Sequence, residues 1–593
     1  MDRKAWIVVT LCVVGIALNA YYANKNKPPV LPKPPVAEKV MAENGAAAAT
    51  PTAEAKAKSV ATGLPEKKHS ITSGTVRFDF STKGGGVSAA TLTSKGDEIV
   101  TNKYGKEAVG ALRNGPSARD NVEYQLVEAT DKRVTFEGKT AEGLTIKKTY
   151  AVTEGDKSDE HLLALTVTLT NNGQGTYASS DLFLYAGAAS SLRPDDIQHP
   201  SFFWNDNGNA DHKDTTWFEP GYFSTNPPEY LQSLNNLRWG GVMSRFYTNI
   251  ISSKEGVENQ PGKLWAQRFL VDHRTDEFKD MAEAAKDYAM EGAVGLPPIE
   301  LQLGASKTLE YEVYLGPKEY HRLAKLERQR RFVMFYGMFS PISRIFINLL
   351  NWLHLQIGSW GWSIVLLTII VRLFLWPFHA KSQRAMKRMG KLAPLMKELQ
   401  AKYKDDPARQ SQETMKLYKD YGVNPLGGCL PMLLQIPIFF GFFSMLGSAA
   451  ELRGESFAWV RDLSLPDTIT HIFGYPLNPL PLVMGITMFL QMKLTPQPAT
   501  VDKMQQRIFM FMPFMFLIFC YTYAAALALY WTTQNIFSIA QSFIMKKMGS
   551  DESGPLQKVP RTPIGPPPVN PFAQPGQKHK DKKKSSGPRL GGR

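Results

Sequence analysis

The feature that most constrains the fold is a set of five apolar stretches in the second half of the chain. They are rich in Phe, Leu, Ile and Met and cover residues 359–378, 429–448, 478–494, 508–523 and 525–545. A helix rises ~1.5 Å per residue, so about twenty apolar residues cross the ~30 Å hydrocarbon core of a bilayer. Within lipid the backbone polar groups must be satisfied inside the segment, which a helix achieves. The sequence therefore predicts a bundle of membrane-spanning helices, and several short spans indicate a thinned bilayer or a water-filled interior.

A further uncharged stretch, Ala5–Asn24, begins directly after Arg3 and Lys4. We predict that residues 1–24 form an uncleaved signal anchor. The alternative is a cleaved signal peptide, for which residues 17–20 offer a small-residue cleavage site, but the apolar run continues through Tyr22. With the anchor, the predicted number of spans is six.

The charges of the connecting segments predict the orientation. Residues 380–428 carry eleven Lys and Arg against five Asp and Glu, residues 546–593 carry eleven against three, and residues 449–476 carry two against four. Because loops with excess Lys and Arg stay on the cytoplasmic side, the first two segments are predicted to be cytoplasmic and the third exterior. Six spans then place both termini in the cytoplasm and the region between the first two spans outside.

That exterior region has the two-residue period of β-strands. Apolar and polar residues alternate in 161–170 and 308–316, and further runs lie at 75–80, 144–152 and 239–251. The pattern predicts antiparallel sheets with one buried face each, most simply a large β-sandwich. The three cysteines, Cys12, Cys429 and Cys520, all lie in apolar segments, so the sequence predicts no disulfide framework.

Residues 321–358 carry apolar side chains three and four apart, after basic residues at 328, 330 and 331. This spacing is typical of an amphipathic helix, which Ser340 and Pro341 break or start again. Its position before a span favours a helix on the exterior membrane surface. A core helix of the preceding domain is the alternative.

The basic segment 379–428 is predicted to form a helical hairpin, with a turn at residues 405–407 and a kink at Pro394. A small two-helix coiled coil is the expected shape. Flexible thioethers also suit the binding of varied apolar segments, so four methionines are candidates for substrate reception: Met386, Met389, Met396 and Met415.

Arg372 stands inside the first apolar stretch after the anchor. A guanidinium at membrane depth costs about 3 kcal/mol on insertion scales, so such a residue usually faces a cavity or a partner. The alternative is a side chain that reaches the cytoplasmic headgroups. Thr368 lies one turn earlier on the same face, which favours an inward polar stripe.

The other spans supply polar and aromatic side chains, namely Gln435, Phe439, Gln491, Tyr530, Trp531, Thr533 and Gln534. Each of the polar side chains can form an ordinary hydrogen bond between helices. As a set they favour a hydrated, positively charged groove, because no span contains an acidic residue to neutralise Arg372.

Several functional classes are not supported by the sequence. It has no GxxxxGK[ST] loop, no HExxH motif and no clustered Cys and His, so an enzyme, a metal or another cofactor is not indicated. A transporter or channel should show paired intramembrane charges or inverted repeats, and neither is seen. A membrane-anchored periplasmic carbohydrate-binding protein remains an alternative.

Three runs resemble the signature of the YidC/Oxa/Alb membrane insertases: Ser363–Arg372, Asn424–Phe439 and Met504–Pro513. The resemblance covers about residues 325–546. The anchor and the exterior domain look like the Gram-negative form of the family, whose periplasmic domain is a β-supersandwich. The resemblance thus implies a polytopic α-helical protein of the bacterial inner membrane with six transmembrane helices.

In function, the resemblance implies an insertase and chaperone whose groove opens to the cytoplasm and to lipid and is closed on the periplasmic side. Arg372 is its expected charged residue, with Thr368 below it and the aromatic pair Tyr530–Trp531 opposite. The partners implied are nascent membrane proteins, the ribosome, the Sec translocon and membrane lipids, with no small-molecule substrate. Two departures from the family pattern are Trp531, where relatives often carry Tyr, and a last turn, Tyr521–Ala526, that lacks a helix breaker.

The predicted organisation is a signal anchor (1–24), a disordered linker (25–70), the β-domain (71–320), the amphipathic helix (321–358), the span 359–378, the cytoplasmic hairpin (379–428), the span 429–448, an exterior loop (449–477), the span 478–494, a cytoplasmic loop (495–507), the spans 508–523 and 525–545, and a basic tail (546–593). The tail is expected to be disordered, and it either binds anionic lipid or RNA or only solubilises the chain.

Overall fold

The computed structural model describes residues 65–95, 98–155, 158–191, 199–219, 226–254, 261–272, 286–326, 330–424, 426–473, 475–494 and 503–548. The predicted signal anchor, most of the linker and nearly all of the basic tail lie outside the described residues.

The first half of the described chain is built of antiparallel strands. They are β1 Lys68–Ser73, β2 Val76–Ser81, β3 Gly86–Leu92, β4 Glu98–Thr101, β5 Leu112–Asn114, β6 Tyr124–Ala129, β7 Arg133–Lys139, β8 Leu144–Val152, β9 Leu162–Asn171, β10 Tyr177–Ser179, β11 Leu182–Ala189, β12 Ser201–Asp206, β13 Asn209–Asp214, β14 Glu229–Leu234, β15 Leu237–Met243, β16 Tyr247–Ser253, β17 Gly262–Asp272, β18 Lys286–Gly295, β19 Ile299–Leu301 and β20 Ser306–Pro317, with β21 Thr470–Ile472 and β22 Tyr475–Leu477 much later.

Two large sheets dominate this region, which we call the β-domain (residues 68–317). One has nine strands in the order β13-β12-β15-β16-β20-β9-β8-β7-β6, and the other has five in the order β14-β17-β18-β11-β5. A four-stranded sheet, β1 to β4, accompanies them. The predicted antiparallel β-rich domain is therefore confirmed.

The core of the β-domain follows from the two-residue period. In β9, Leu163, Leu165, Val167 and Leu169 are buried, and the residues between them are partly exposed. The sheets approach closely: a Cβ on Gly292 of β18 would lie 2.2 Å from a ring carbon of Phe202 in β12. A side chain at this glycine would force the two sheets apart.

One predicted run is wrong in detail. Residues 239–251 were expected as a single run, but the structure divides them into β15 and β16. The turn Ser244–Phe246 between them is closed by a hydrogen bond from the Ser244 amide to the Tyr247 carbonyl, 2.9 Å long. The alternation of side chains could not show this turn, because its residues are buried against another part of the molecule.

The second half is helical. The helices are α1 Tyr320–Lys325, α2 Ser340–Ile357, α3 Trp360–Lys391, α4 Ala393–Lys402, α5 Pro407–Asp420, α6 Leu426–Ser448, α7 Pro479–Leu494, α8 Lys503–Tyr521 and α9 Ala525–Met548.

Among the described residues, one helix, α3, is long and apolar enough to cross a membrane, judged by length and composition. Shorter apolar helices cover Leu433–Ser448 and Pro479–Leu494. Helix α3 passes Pro377 without a break and ends 13 residues beyond the predicted boundary at 378. The number of six spans stays a prediction.

The amphipathic segment is not one helix. After α1 the chain forms two short 3₁₀ turns, and α2 then begins at Ser340 with Pro341 in its first turn, at the predicted restart. One face of α2 is buried and includes Phe346, Ile347 and Leu350. Because α2 packs against α3 and α6, this face belongs to the helical core.

The basic hairpin consists of the C-terminal part of α3 with α4 and α5. Helix α3 ends at Lys391 and α4 begins at Ala393 with Pro394 in its first turn, so the expected kink is a break. Its small core is Met389, Leu392, Met396, Tyr418 and Val423.

The loop between α6 and α7, residues 449–478, joins the helices to the β-domain. Ala450 belongs to the core of the β-domain, and Arg453 forms an ion pair with Glu98 of β4. The carboxylate of Glu451 accepts a hydrogen bond from the Tyr320 amide, 3.1 Å long. Burial, followed by the like charge of Glu319, raises the pKa of Glu451 to about 7.

This shift predicts a pH-dependent stability. Because the pKa of Glu451 is higher in the folded chain than its ordinary value of 4.5, the folded chain binds the proton more tightly. Protonated Glu451 therefore adds to the free energy of unfolding below about pH 4.5. This contribution is lost as the pH rises through about 7. We expect Glu451→Gln to stabilise the protein relative to wild type more at pH 8 than at pH 5, by at most about 3 kcal/mol.

Thermal unfolding of the detergent-solubilised protein at both pH values measures this difference, with the exposed Glu300→Gln as control. A gap between Glu451→Gln and wild type that is the same at pH 5 and pH 8 contradicts the prediction.

Candidate functional site

Helix α3 places Thr368 and Arg372 one turn apart, and both side chains are buried. The Thr368 hydroxyl donates to the Ile364 carbonyl in its own helix, 2.7 Å away. Arg372 is 5% exposed, and its Nη1 donates to Nε2 of His379, 3.1 Å away, two turns nearer the C-terminal end of the helix. The guanidinium is thus inside the bundle and directed along it toward the basic hairpin.

The environment of Arg372 provides few partners. Its Nε is one of the buried side-chain nitrogens that have no hydrogen-bond partner within the described parts of the chain. The phenol of Tyr530 on α9 is close enough to interact with it electrostatically. An unpaired buried donor costs about 1–3 kcal/mol, and more when it is charged. This arrangement favours a polar occupant beside Arg372.

Helix α9 presents a continuous polar face to the bundle. Its members, spaced by three and four residues, are Tyr530, Gln534, Ser538 and Gln541. All four are buried, and Nε2 of Gln541 has no partner among the described residues. Ser538 and Gln541 were not among the predicted site residues, although their spacing from Gln534 places them on the same helix face.

Gln435 of α6 links to this polar face. Its Nε2 donates to the Tyr530 hydroxyl, 3.3 Å away, and to Oε1 of Gln534, 3.1 Å away. Here the structure shows the ordinary role of polar groups in helix bundles, a hydrogen bond between helices. The pair fixes α6 against α9.

Aromatic rings also pack between α6 and α9, next to the hydrogen bonds of Gln435. The ring of Phe442 stacks on Tyr530 with centroids 4.1 Å apart. Phe439 and Trp531 meet edge to face at 4.9 Å, and Phe516 of α8 lies 4.6 Å from Trp531. Phe439 and Trp531 are half-buried, so this aromatic group is accessible from one side.

Two further predicted residues lie on α9 and α7. The hydroxyl of Thr533 donates to the Leu529 carbonyl in its own helix, 2.8 Å away. Gln491 is half-buried near the C-terminal end of α7. Instead, Asn535 connects α9 to α7, because its Nδ2 donates to the Met484 carbonyl at 3.3 Å and to the Thr487 hydroxyl at 3.2 Å.

Helices α3 and α9 stay together toward the hairpin. The rings of Trp376 and Phe537 meet edge to face at 5.8 Å. Further along, Nζ of Lys387 donates to the Met545 carbonyl, 3.4 Å away, in the last turn of α9. A cation there complements the negative end of the helix dipole.

The four methionines of the hairpin occupy different environments. Met389 and Met396 are buried in the hairpin core, and Met386 is half-buried. Met415 is 49% exposed. The two core methionines therefore stabilise the hairpin, and Met415 is the one displayed to solvent.

Across the described ranges, no three His, Cys, Asp or Glu side chains are grouped so that they could hold a metal ion. The described side chains of the site offer hydrogen bonds and the positive charge of Arg372.

Comparison with known proteins gives consistent matches along the chain. The family model of the 60Kd inner membrane protein matches residues 352–552, and that of the YidC periplasmic domain matches residues 68–349. A membrane protein insertase YidC from Syntrophobacter fumaroxidans is 42% identical over 251 residues, which cover 42% of this chain and 45% of the relative. The one from Nitratidesulfovibrio vulgaris is 35% identical over 355 residues, or 57% and 60% of the two chains.

The matched region thus spans about half the length of the curated relatives. Among solved structures, an active YidC insertase matches with 16% identity and a TM-score of 0.32, covering 80% of this chain and 92% of that one.

The stacked pair of Phe442 and Tyr530 predicts a large effect on stability. Phe442 is fully buried, so Phe442→Ala should leave a cavity beside Tyr530 and destabilise the protein by about 3–5 kcal/mol. Phe440 is two residues earlier and 43% exposed, and Phe440→Ala should cost much less. Thermal unfolding in detergent compares the two variants, and equal losses would show that the stacked contact is not part of the stabilising core.

Proposed function

Because this chain belongs to the YidC/Oxa/Alb family of membrane protein insertases, we propose that it inserts integral membrane proteins into the bacterial inner membrane and helps them fold. The matched relatives are named insertases and not enzymes, in agreement with the prediction that the chain is not an enzyme. The proposed activity is binding and positioning of a nascent chain.

The observation that carries the proposal is the buried, incompletely partnered guanidinium of Arg372. None of the apolar helices that the structure describes contains an acidic residue that could neutralise it. A cation in a medium of low dielectric attracts an opposite charge far more strongly than it would in water. Arg372 therefore suits a short acidic segment of a substrate that must pass from the cytoplasm to the other side.

The polar face of α9 extends this site. A polar segment that crosses hydrocarbon alone leaves backbone groups unsatisfied, at several kcal/mol each. Gln534, Ser538 and Gln541 offer hydrogen bonds over two turns of helix, next to α3. In the proposed mechanism they form, with Thr368 and Arg372, a hydrophilic groove open to the cytoplasm.

The aromatic group receives the apolar part of the substrate. Phe439 and Trp531 are half-buried and in contact with each other. An apolar substrate helix packs against such rings at the lipid boundary while its polar flank remains beside Arg372. The substrate then leaves sideways into lipid.

We further propose the topology of six spans, with both termini in the cytoplasm and the β-domain in the periplasm. The match of residues 68–349 to a periplasmic domain model supports this orientation. The basic hairpin then faces the ribosome or the targeting machinery, and its exposed Met415 is the candidate contact for an emerging apolar segment. The protein acts alone or with the Sec translocon.

The charge of Arg372 is tested by Arg372→Lys, Arg372→Ala and Arg372→Glu, assayed for insertion of a single-span substrate with an acidic exterior segment. We expect Arg372→Lys to retain insertion. Arg372→Ala and Arg372→Glu should reduce it on the order of tenfold or more, because the loss of ~1.4 kcal/mol of attraction corresponds to a factor of ten. Arg384→Ala, at an exposed arginine of the same helix, is the matched control.

A second substrate, with its acidic residues changed to amides, sharpens this test. Its insertion should depend much less on residue 372. Equal insertion by all three variants would rule out a role for the charge.

The carbohydrate-binding alternative is tested by deletion of residues 75–317. The insertase proposal predicts that the helical part retains most of its insertion activity, because the groove lies in α3, α6 and α9. Complete loss of function at normal levels of the shortened protein would favour the alternative.

A further inference from the structure

A turn of the β-domain contacts the helical bundle directly. Arg245 lies in the turn between β15 and β16, and its side chain is buried. Its Nε donates to the Gly447 carbonyl, 2.9 Å away, and its Nη2 donates to the Ser464 carbonyl, 3.0 Å away. One guanidinium thus joins the β-domain to two separate places in the helical half.

The first of these places is the C-terminal end of α6. Gly447 is in the last turn, where carbonyls have no partner within the helix and carry the negative end of the helix dipole. A buried guanidinium satisfies such a carbonyl and complements its charge. Arg245 therefore acts as a cap on α6.

The second place is connected to the beginning of α9. Ser464 lies between Leu463 and Leu465, whose carbonyls accept hydrogen bonds from the amides of Ala526 and Ala525 at 2.9 and 2.8 Å. These amides belong to the first turn of α9, where backbone N–H groups have no acceptor within the helix. The loop thus caps α9, and Arg245 holds the middle residue of that cap.

The contact is reinforced from the loop. The guanidinium of Arg453 forms an ion pair with Glu98 and lies 5.3 Å from the ring centre of Phe246, beside Arg245. The hydroxyl of Tyr247 donates to the same carboxylate, 3.1 Å away. The turn Ser244–Phe246 is therefore held from both sides.

We propose that Arg245 is a positioning residue by which the β-domain holds the outer ends of α6 and α9 together and closes the groove on that side. Two of the proposed groove walls are on these helices, since Gln435 and Phe439 lie on α6 and Tyr530 and Trp531 on α9. The inference rests on the proposed function for the existence of the groove, but its closure is measurable without any insertion assay.

Cys520 is a natural reporter of this closure. It is fully buried near the end of α8, and its carbonyl accepts a hydrogen bond from the Tyr523 amide, 3.2 Å long, in the turn that leads into α9. In a chain with Cys12→Ser and Cys429→Ser it is the sole cysteine, because the sequence has three. The full chain in membrane vesicles is treated with a membrane-impermeant maleimide on the side of the β-domain.

Arg245→Gln should raise the rate of Cys520 labelling on the order of tenfold, because the two carbonyls lose their common donor. Arg245→Lys should give an intermediate rate, since an ammonium cannot place two donors in the fork geometry of a guanidinium. Arg133→Gln, at an exposed arginine of β7, is the matched control and should label like wild type.

Labelling that is unchanged in both Arg245 variants overturns the proposal, and so does a rise that Arg133→Gln reproduces. If Arg245→Gln does not accumulate as a folded protein, Arg245→Lys, which keeps the buried charge, decides the test. An effect of Arg245 on labelling, combined with no effect of Arg372 on insertion, would remove the proposed function and leave the closure in place. An effect of Arg372 on insertion, combined with no effect of Arg245 on labelling, would remove only the proposed closure.

Discussion

The structure depends on how a guanidinium is accommodated within apolar helices. Arg372 is buried in α3, one of its nitrogens reaches His379, and another has no partner among the described residues. A charge of this kind is costly in hydrocarbon, and the cost falls only where polar groups or water surround it. His379 of the same helix and Tyr530 of α9 are the polar groups close to it, and the polar face of α9 runs beside α3 toward the basic hairpin. The charge and its polar surroundings therefore form one unit.

That unit needs a rigid frame, which the helix contacts provide. Gln435 ties α6 to α9 by two hydrogen bonds, and Phe442 stacks on Tyr530 next to them. Asn535 ties α9 to α7 in the same way. Polar contacts thus set the positions of α6, α7 and α9, while the half-buried rings of Phe439 and Trp531 leave one side open. A frame of this kind holds the polar residues of the bundle in fixed positions relative to one another.

The β-domain is part of the frame at one end. The turn between α8 and α9 has no helix breaker, and contacts with the loop 449–478 explain how α9 can begin there. The first amides of α9 are satisfied by Leu463 and Leu465, so the chain can restart a helix at Ala525 without Pro or Gly. Arg245 in turn bonds to the carbonyl between them. The cap on α9 is therefore built by two distant segments, one of them in the β-domain.

The sequence by itself determined the local features: the apolar helices, the alternation that buries Leu163 to Leu169, a disturbance of the helix at Pro394 and the charge at Arg372. Each depends on which residue types recur at the period of a helix or strand, and that information is local. Only the tertiary structure decided that Gln435 pairs with Tyr530 and Gln534, and that Met389 and Met396 face inward while Met415 does not. It also showed that the run 239–251 is divided into two strands of a hairpin, whose turn residue Arg245 bonds to a residue 202 positions away. A residue pattern shows which faces are buried, but the partner of a buried face is fixed by packing of the whole chain.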